Sequence, residues 1–246
     1  RELNRCLNAT KNIDIVIHAA ALKHVPICEF NPKEAYRTNF IGTKNLIAAS
    51  KKNKVKKFLF ISTDKVVKPI SVMGKTKKIA ESLVIKSNSK SNTNFSCIRF
   101  GNIIGSRGSV LPKFINQIKK NKNLSITDSK MERYFLTIDR AVSNIILSID
   151  IMLGGEIFII GDLPNFKILD LALVLKQYYE KQIGYRKKII FTGIRSGERN
   201  YERLYSSDEH KNLFKYKNLI IINDNINIKD VKKKYKQNLK VQSTQY

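Results

Sequence analysis

The sequence predicts an α/β protein built on a doubly wound parallel sheet, with a smaller second lobe. Three observations predict it. Short apolar runs at 13–18, 57–61 and 95–100 are continuous instead of alternating, as strands covered on both faces read. Patterns of helical period separate them, which is the spacing of βαβ units. The central run breaks off at Ser62-Thr63-Asp64-Lys65, and ligands of an open parallel sheet bind beyond the carboxyl ends of its strands. That polar turn therefore faces a site.

Composition bounds the function. The 246 residues, 42% hydrophobic, suffice for one large α/β domain or a core with a lobe. No apolar run has the length of a membrane span and nothing at the amino end resembles a signal peptide, so a soluble, cytoplasmic protein is expected. Cys6, Cys28 and Cys97 are odd in number and scattered, which fits a reducing compartment and no metal. Three histidines, His18, His24 and His210, leave a zinc site unsupported. The net charge of +26 raises nucleic-acid binding. The excess is mostly Lys spread along the chain, with no recognition helix, zinc finger or aromatic-basic motif, so no nucleic-acid partner is expected. A basic surface still draws in an anionic substrate.

RELNRCLNAT reads as a short helix, and IDIVIHAA as a buried strand ending at small residues. Ala19, Ala20 and Ala21 let a planar ring or ribose approach the backbone, or serve only as a tight packing point. Lys23 and His24 follow in LKHVP, and Asn31-Pro32 opens a helix, Pro fitting its first turn. Its stretch Thr38-Asn39-Phe40-Ile41-Gly42-Thr43 leads to the central strand. After Ser62-Thr63-Asp64-Lys65 comes a helix carrying Met73 and Lys77 on one face, one turn apart. A Ser-Thr-Asp cluster after a strand also serves as a plain N-cap or turn. The strand FSCIRF ends at Arg99-Phe100-Gly101-Asn102. Gly105-Ser106-Arg107-Gly108-Ser109-Val110 is then a glycine-serine turn ahead of a helix opened by Pro112, offering backbone N–H groups to an anion. The segment at 138–149 reads as an amphipathic helix, GGEIFIIGD as a strand and 167–179 as a helix. Arg195 and Glu198 in GIRSGER combine a phosphate fork with an acceptor for ribose hydroxyls. The tail after Leu219 reads as a peripheral strand and a frayed end.

The colinear motifs HAAALKHVP, NPKEAYRTNFIGTKNLIAAS, ISTDK, VMGKTK, RFGNIIGSRGSVLPKF and GIRSGER resemble the nucleotide-sugar 4,6-dehydratases of the polysaccharide-biosynthesis group. That group belongs to the extended short-chain dehydrogenase/reductase superfamily, with a Rossmann-like sheet, and acts on UDP-N-acetylglucosamine for capsule, O-antigen or flagellar glycans. The resemblance implies a dinucleotide-binding remainder over 1–105 and a substrate-binding lobe, interleaved with late sheet elements, over 106–246. It implies NAD or NADP as cofactor, a UDP-sugar substrate and a homo-oligomer. The Gly-rich G-x-G-x-x-G turn of such folds is absent, and by the size of its units about 60 to 70 residues of the family pattern are missing upstream.

Residue by residue, the resemblance puts Ala19, Ala20, Ala21, Lys23, Asn39, Ser62, Thr63 and Lys77 at the cofactor. It puts His24, Asn102, Ser106, Ser109, Val110, Arg133, Arg195 and Glu198 at the substrate. Thr63, Asp64, Lys65, Met73 and Lys77 form the catalytic set. Lys65 is the base for C5 and Asp64 the acid for the departing C6 hydroxyl. Met73 stands where the superfamily has Tyr, as in one branch of these dehydratases, and cannot be a base. The C4 base is then Lys65, Asp64 or a water on Thr63. Short members of that branch tend to invert C5. Ser196 and Arg199 depart from the family's Pro and Lys. Two other readings stand beside this one: a truncated, non-catalytic remnant or accessory subunit, and a basic nucleic-acid binder.

Overall fold

A computed structural model describes residues 1–89 and 91–223. α1 (Leu3–Ala9) leads into β1 (Ile15–His18). α2 (Val25–Phe30), α3 (Pro32–Tyr36) and α4 (Gly42–Lys52) then cross to β2 (Lys57–Thr63), a single π turn at Arg37–Ile41 joining α3 to α4. α5 (Val72–Ser87) crosses to β3 (Asn94–Phe100). β4 (Asn102–Ile103), α6 (Val110–Lys119), β5 (Leu124–Ile126) and β6 (Glu132–Leu136) precede α7 (Ile138–Ile151) and β7 (Ile157–Ile160). The described chain closes with β8 (Asn165–Lys167), α8 (Ile168–Ile183), β9 (Ile189–Phe191), β10 (Leu213–Tyr216) and β11 (Leu219–Ile222).

The main sheet runs in the order β1-β2-β3-β7-β11-β10. β1, β2, β3 and β7 are parallel, with Phe58 opposite Phe95 and Ile98 opposite Phe158. β11 and β10 add antiparallel strands at one edge. Period-two alternation sends Phe58 and Phe60 into a core with Ile47 of α4 and Ala80 and Val84 of α5. Leu59 points the other way, into a core with Ala141 and Ile151 of α7. Helices therefore cover both faces, as the continuous apolar run in β2 requires, and each fully buried Phe or Leu contributes about 1.5–3 kcal/mol. A third core joins α6, β5, β6 and α8 through Phe114, Leu124, Phe135 and Ala172. Among the described residues no helix is long and apolar enough to cross a membrane.

Four readings from the sequence need correction. Among the described residues β1 lies at an edge of the sheet and is half exposed, with Ile15 at 45% and Ile17 at 48%, since only Val16 and His18 face the α4–α5 side. Its continuous apolar run does not tell which face is covered. The strand after Leu219 is interior, with Leu219, Ile221 and Ile222 buried between β7 and β10; the tail beyond 223 lies outside the described residues. α6 starts at Val110, so Pro112 lies in its first turn and does not open it. α8 runs a turn further than expected, to Ile183, where Gly184 closes it in the left-handed conformation.

A buried ion network ties these elements together. Arg99 on β3 has no exposed surface, and its five donor protons all find acceptors. Nε and Nη2 fork onto Glu81 of α5 at 3.0 and 2.7 Å. Nη2 and Nη1 reach Glu209 at 2.7 and 2.9 Å, and Nη1 also donates to the Leu204 carbonyl at 3.3 Å. Ser62 Oγ of β2 donates to Glu81 at 2.6 Å. Glu81 is held below the usual carboxylate range, its burial outweighed by the Arg99 guanidinium. Removing one partner strands a buried charge, whereas removing both does not. Urea denaturation of Arg99→Met should therefore show a loss of about 3–5 kcal/mol, and Arg99→Met/Glu81→Met a smaller one. A double variant as unstable as the single would contradict this account.

Candidate active site

The carboxyl ends of β1, β2 and β3 open into a cleft of ≈ 440 Å³. At its base β2 ends at Thr63, and residues Asp64–Val66 form one 3-10 turn. Thr63 Oγ1 caps that turn by accepting from the Lys65 N–H at 3.4 Å and donates to Asp64 Oδ1 at 2.9 Å. The capping reading of this cluster is thus met. Lys65 Nζ lies 2.9 Å from Asp64 Oδ1, 3.4 Å from Asn102 Oδ1 and 3.8 Å from Glu202 Oε1. Asp64 is fully buried, and its Oδ2 has no hydrogen-bond partner among the described residues.

α5 is fixed against this turn. Ser71 Oγ caps it by accepting from Gly74 N–H at 3.0 Å, and Glu29 accepts from Val72 N–H at 2.7 Å. A Cβ on Gly74 would lie 2.5 Å from the Lys65 carbonyl, so only glycine allows this approach. Met73 packs with Cys28, Ala35, Leu22 and Val25, which makes it apolar wall. Lys77 Nζ donates to the Ile61 carbonyl at 2.5 Å and sits 3.8 Å from the Phe60 ring centroid. Burial lowers its pKa to about 8. His18 is bonded to Thr43 Oγ1 at 2.8 Å, and burial, with Lys77 nearby, lowers it to about 3, so it is neutral.

On the opposite wall, the Cβ that Gly108 lacks would stand 1.9 Å from the His24 ring, and Gly108 has φ +75°. His24 and the 105–109 turn therefore close against each other. Ser109 precedes α6 without capping it by its side chain, and its buried Oγ has no hydrogen-bond partner among the described residues. The start of α6 thus leaves donors for an anion.

Most residues singled out from the sequence line this cleft: Ala19, Ala21, Lys23, His24, Ser62, Thr63, Lys65, Met73, Lys77, Asn102, Ser106, Ser109, Val110, Arg133, Arg195 and Glu198. Ala20, Asn39 and Asp64 do not. Asn39 accepts from Leu22 N–H at 2.7 Å and donates to the Leu22 carbonyl and to Thr76 Oγ1, both at 3.0 Å. It braces the loop after β1 against α5. Arg133 spends donors on the carbonyls of Glu132, Arg199 and Asn200 at 2.7–3.1 Å. Arg195 pairs with Glu198 at 3.9 Å, and Arg199 donates to the carbonyls of Val67, at 3.1 Å, and Lys68. Lys113, Thr127 and Glu202 also line the cleft and were not found from the sequence.

The buried Lys77 gives a pH test. Its folded pKa of about 8 lies below the model-peptide 10.5, so between those values the unfolded chain binds more protons than the folded one. Its contribution to stability is least favourable below about 8 and improves as pH rises through that window. Unfolding free energy of the wild type, taken relative to Lys77→Met, should rise on the order of 2–3 kcal/mol from pH 8 to 10.5. A pH-independent difference would contradict the burial of this amine.

Comparison with known proteins follows the same lines. The family described as polysaccharide biosynthesis protein matches residues 1–224. A UDP-glucose 4-epimerase of Rickettsia bellii is 42% identical over 85% of this chain, which spans 61% of its length. A UDP-N-acetylglucosamine 4,6-dehydratase (inverting) of Campylobacter jejuni is 38% identical over 94% of this chain, which spans 67% of that enzyme. Among solved structures, Pen from Bacillus thuringiensis superposes with a TM-score of 0.87 at 40% identity, covering 91% of this chain and 70% of that one. DesIV, a dTDP-glucose 4,6-dehydratase of Streptomyces venezuelae solved with NAD, shares the fold at a TM-score of 0.77 and 17% identity, over 96% of this chain and 77% of its own. On the match over residues 1–224, the chain belongs to the polysaccharide biosynthesis protein family, among homologues of nucleotide-sugar dehydratases and epimerases.

Proposed function

We propose that the protein catalyses the NAD(P)-dependent 4,6-dehydration of a UDP-N-acetylhexosamine, UDP-N-acetylglucosamine, to a 4-keto-6-deoxy sugar. The observation that carries this reading is the amine of Lys65 at the cleft floor, flanked by the carboxyls of Asp64 and Glu202. Exchange of hydride at C4 alone needs no such group. Elimination of water across C5 and C6 needs both an amine to take the C5 proton and a carboxylic acid to protonate the departing hydroxyl. A 4,6-dehydratase among the relatives and the motif resemblance agree with it.

The residues at one end of the cleft fit a nicotinamide ribose. Ala19 and Ala21 leave room for it, and Lys77 uses one donor proton on Ile61 and has others to offer to hydroxyls. A dinucleotide held there would supply hydride transfer, from the sugar C4 and back to C6. Met73 cannot take the C4 hydroxyl proton. Thr63 Oγ1, bonded to Asp64 Oδ1 at 2.9 Å, links the cleft to a carboxylate that can. Lys65 takes the proton of C5, which the C4 ketone acidifies. For the diphosphate, Ser109 Oγ and the first N–H groups of α6 offer donors, and Lys113 and Arg195 add positive charge. Glu198 suits ribose hydroxyls.

With the protein expressed from its whole reading frame, Lys65→Ala should cut 4-keto-6-deoxy product by about 10²–10⁴. UDP binding and cofactor reduction should persist, read by calorimetry and by absorbance of the reduced nicotinamide. Turnover equal to wild type would sink the assignment of Lys65.

A further inference from the structure

The Lys65 amine is held from three segments of the chain. Asp64 Oδ1, in its own turn, lies 2.9 Å from Nζ; Asn102 Oδ1, just past β3, lies at 3.4 Å; and Glu202 Oε1 lies at 3.8 Å. An ammonium carries three protons and no acceptor, so three oxygens around one nitrogen fit its charged form. Of the three, Glu202 stands farthest off in sequence and has no part yet in the reaction. Its side chain is 6% exposed and lines the cleft. At 3.8 Å it acts on Lys65 through its charge and not through a hydrogen bond.

The place of Glu202 is built by its neighbours. Arg199, three residues earlier, donates to the carbonyls of Val67 and Lys68, in the loop just after the Asp64–Val66 turn. Arg133 clamps the carbonyls of Arg199 and Asn200. Two residues past Glu202, the Leu204 carbonyl accepts from the buried Arg99. The segment is thereby pinned on both sides of Glu202, and its first anchor is the loop that continues from Lys65.

We infer that Glu202 is a positioning residue: it holds the Lys65 amine for proton removal at C5 and stabilises the ammonium that forms there. The inference rests on the dehydratase reading above and leaves the acid with Asp64. In the step, the C5–H bond breaks, its proton goes to Lys65 Nζ and its electron pair to the C4 ketone. The C6–O bond then breaks as the C5=C6 bond forms. Asp64 gives the leaving oxygen the proton that it received from the C4 hydroxyl through Thr63, and water departs. When hydride returns to C6, the Lys65 ammonium gives its proton back to C5. A fixed negative charge beside the amine favours the stage at which Lys65 is charged.

The test uses protein expressed from the whole reading frame, with UDP-N-acetylglucosamine and NAD⁺ in D₂O at mildly alkaline pH, above the carboxylate range. Wild type should form the 4-keto-6-deoxy sugar with deuterium at C5. Glu202→Gln, which keeps the shape and removes the charge, should slow deuterium entry at C5 and product formation together by about 10²-fold. Reduction of the cofactor in a single turnover and KM should stay within about twofold of wild type, because C4 oxidation does not use Lys65 in this scheme. Glu202→Asp, which restores the charge, should recover part of the C5 rate. C5 exchange in Glu202→Gln as fast as wild type, or faster, would overturn the inference. So would loss of C4 oxidation in step with product, the mark of a merely structural role. Either result leaves the dehydratase reading intact, whereas absence of product from the wild type would overturn both.

Discussion

A guanidinium with no exposed surface must find a partner for every proton it carries, and the rest of this architecture answers that demand. Arg99 draws Glu81 of α5, Ser62 of β2 through Glu81, and the segment from Leu204 to Glu209 onto the carboxyl end of β3. Each anchor adjoins a cleft residue. Thr63 follows Ser62, Lys77 lies one helical turn before Glu81, Asn102 lies three residues past Arg99, and Glu202 lies two before Leu204. The network sits behind the cleft and fixes the ends from which its side chains project. Its charge makes it a poor source of net stability but a strict determinant of register among four segments.

The chemistry follows from how those ends differ in exposure. β2 delivers a hydroxyl, a carboxyl and an amine in sequence, but the 3-10 turn directs them differently: Thr63 and Lys65 into the cleft, Asp64 behind it. Met73 shows the same logic in reverse. It shares a helix face with Lys77, yet the apolar cluster around it makes it wall where related folds have a phenol. In the proposed reaction, proton transfer at C4 would run through the Thr63–Asp64 link.

Much of this was legible in the chain. The unbroken apolar run of β2 announced a strand covered on both faces, and the polar turn after it announced the site. The motifs then supplied sixteen of the residues that line the cleft, about half of them. What was not legible depends on tertiary neighbours. Ile15 and Ile17 look like Phe58 and Leu59 in sequence, but the face of β1 that carries them is left uncovered by the described residues. β11 looks like a tail because its partner β7 lies about sixty residues away, and loop closure leaves no local mark. Arg133, which the resemblance places near the nucleotide, also braces the carbonyls of Glu132, Arg199 and Asn200, which no local pattern shows. Glu202 carries no motif of its own that sets it apart from other acids in a charged stretch. Only the approach of its segment to the turn after β2 reveals it.

Relatives named for both reactions are similar to this chain, and the amine at the end of β2 is the group on which the proposed dehydration rests. The most direct test is to supply UDP-N-acetylglucosamine and NAD(P)⁺ to the protein expressed from its whole reading frame and identify the sugar formed by NMR. A 4-keto-6-deoxy sugar carrying a C6 methyl group is the predicted result. A C4 epimer that keeps its C6 hydroxyl would contradict the account, since the amine and its acid would then have no step to perform.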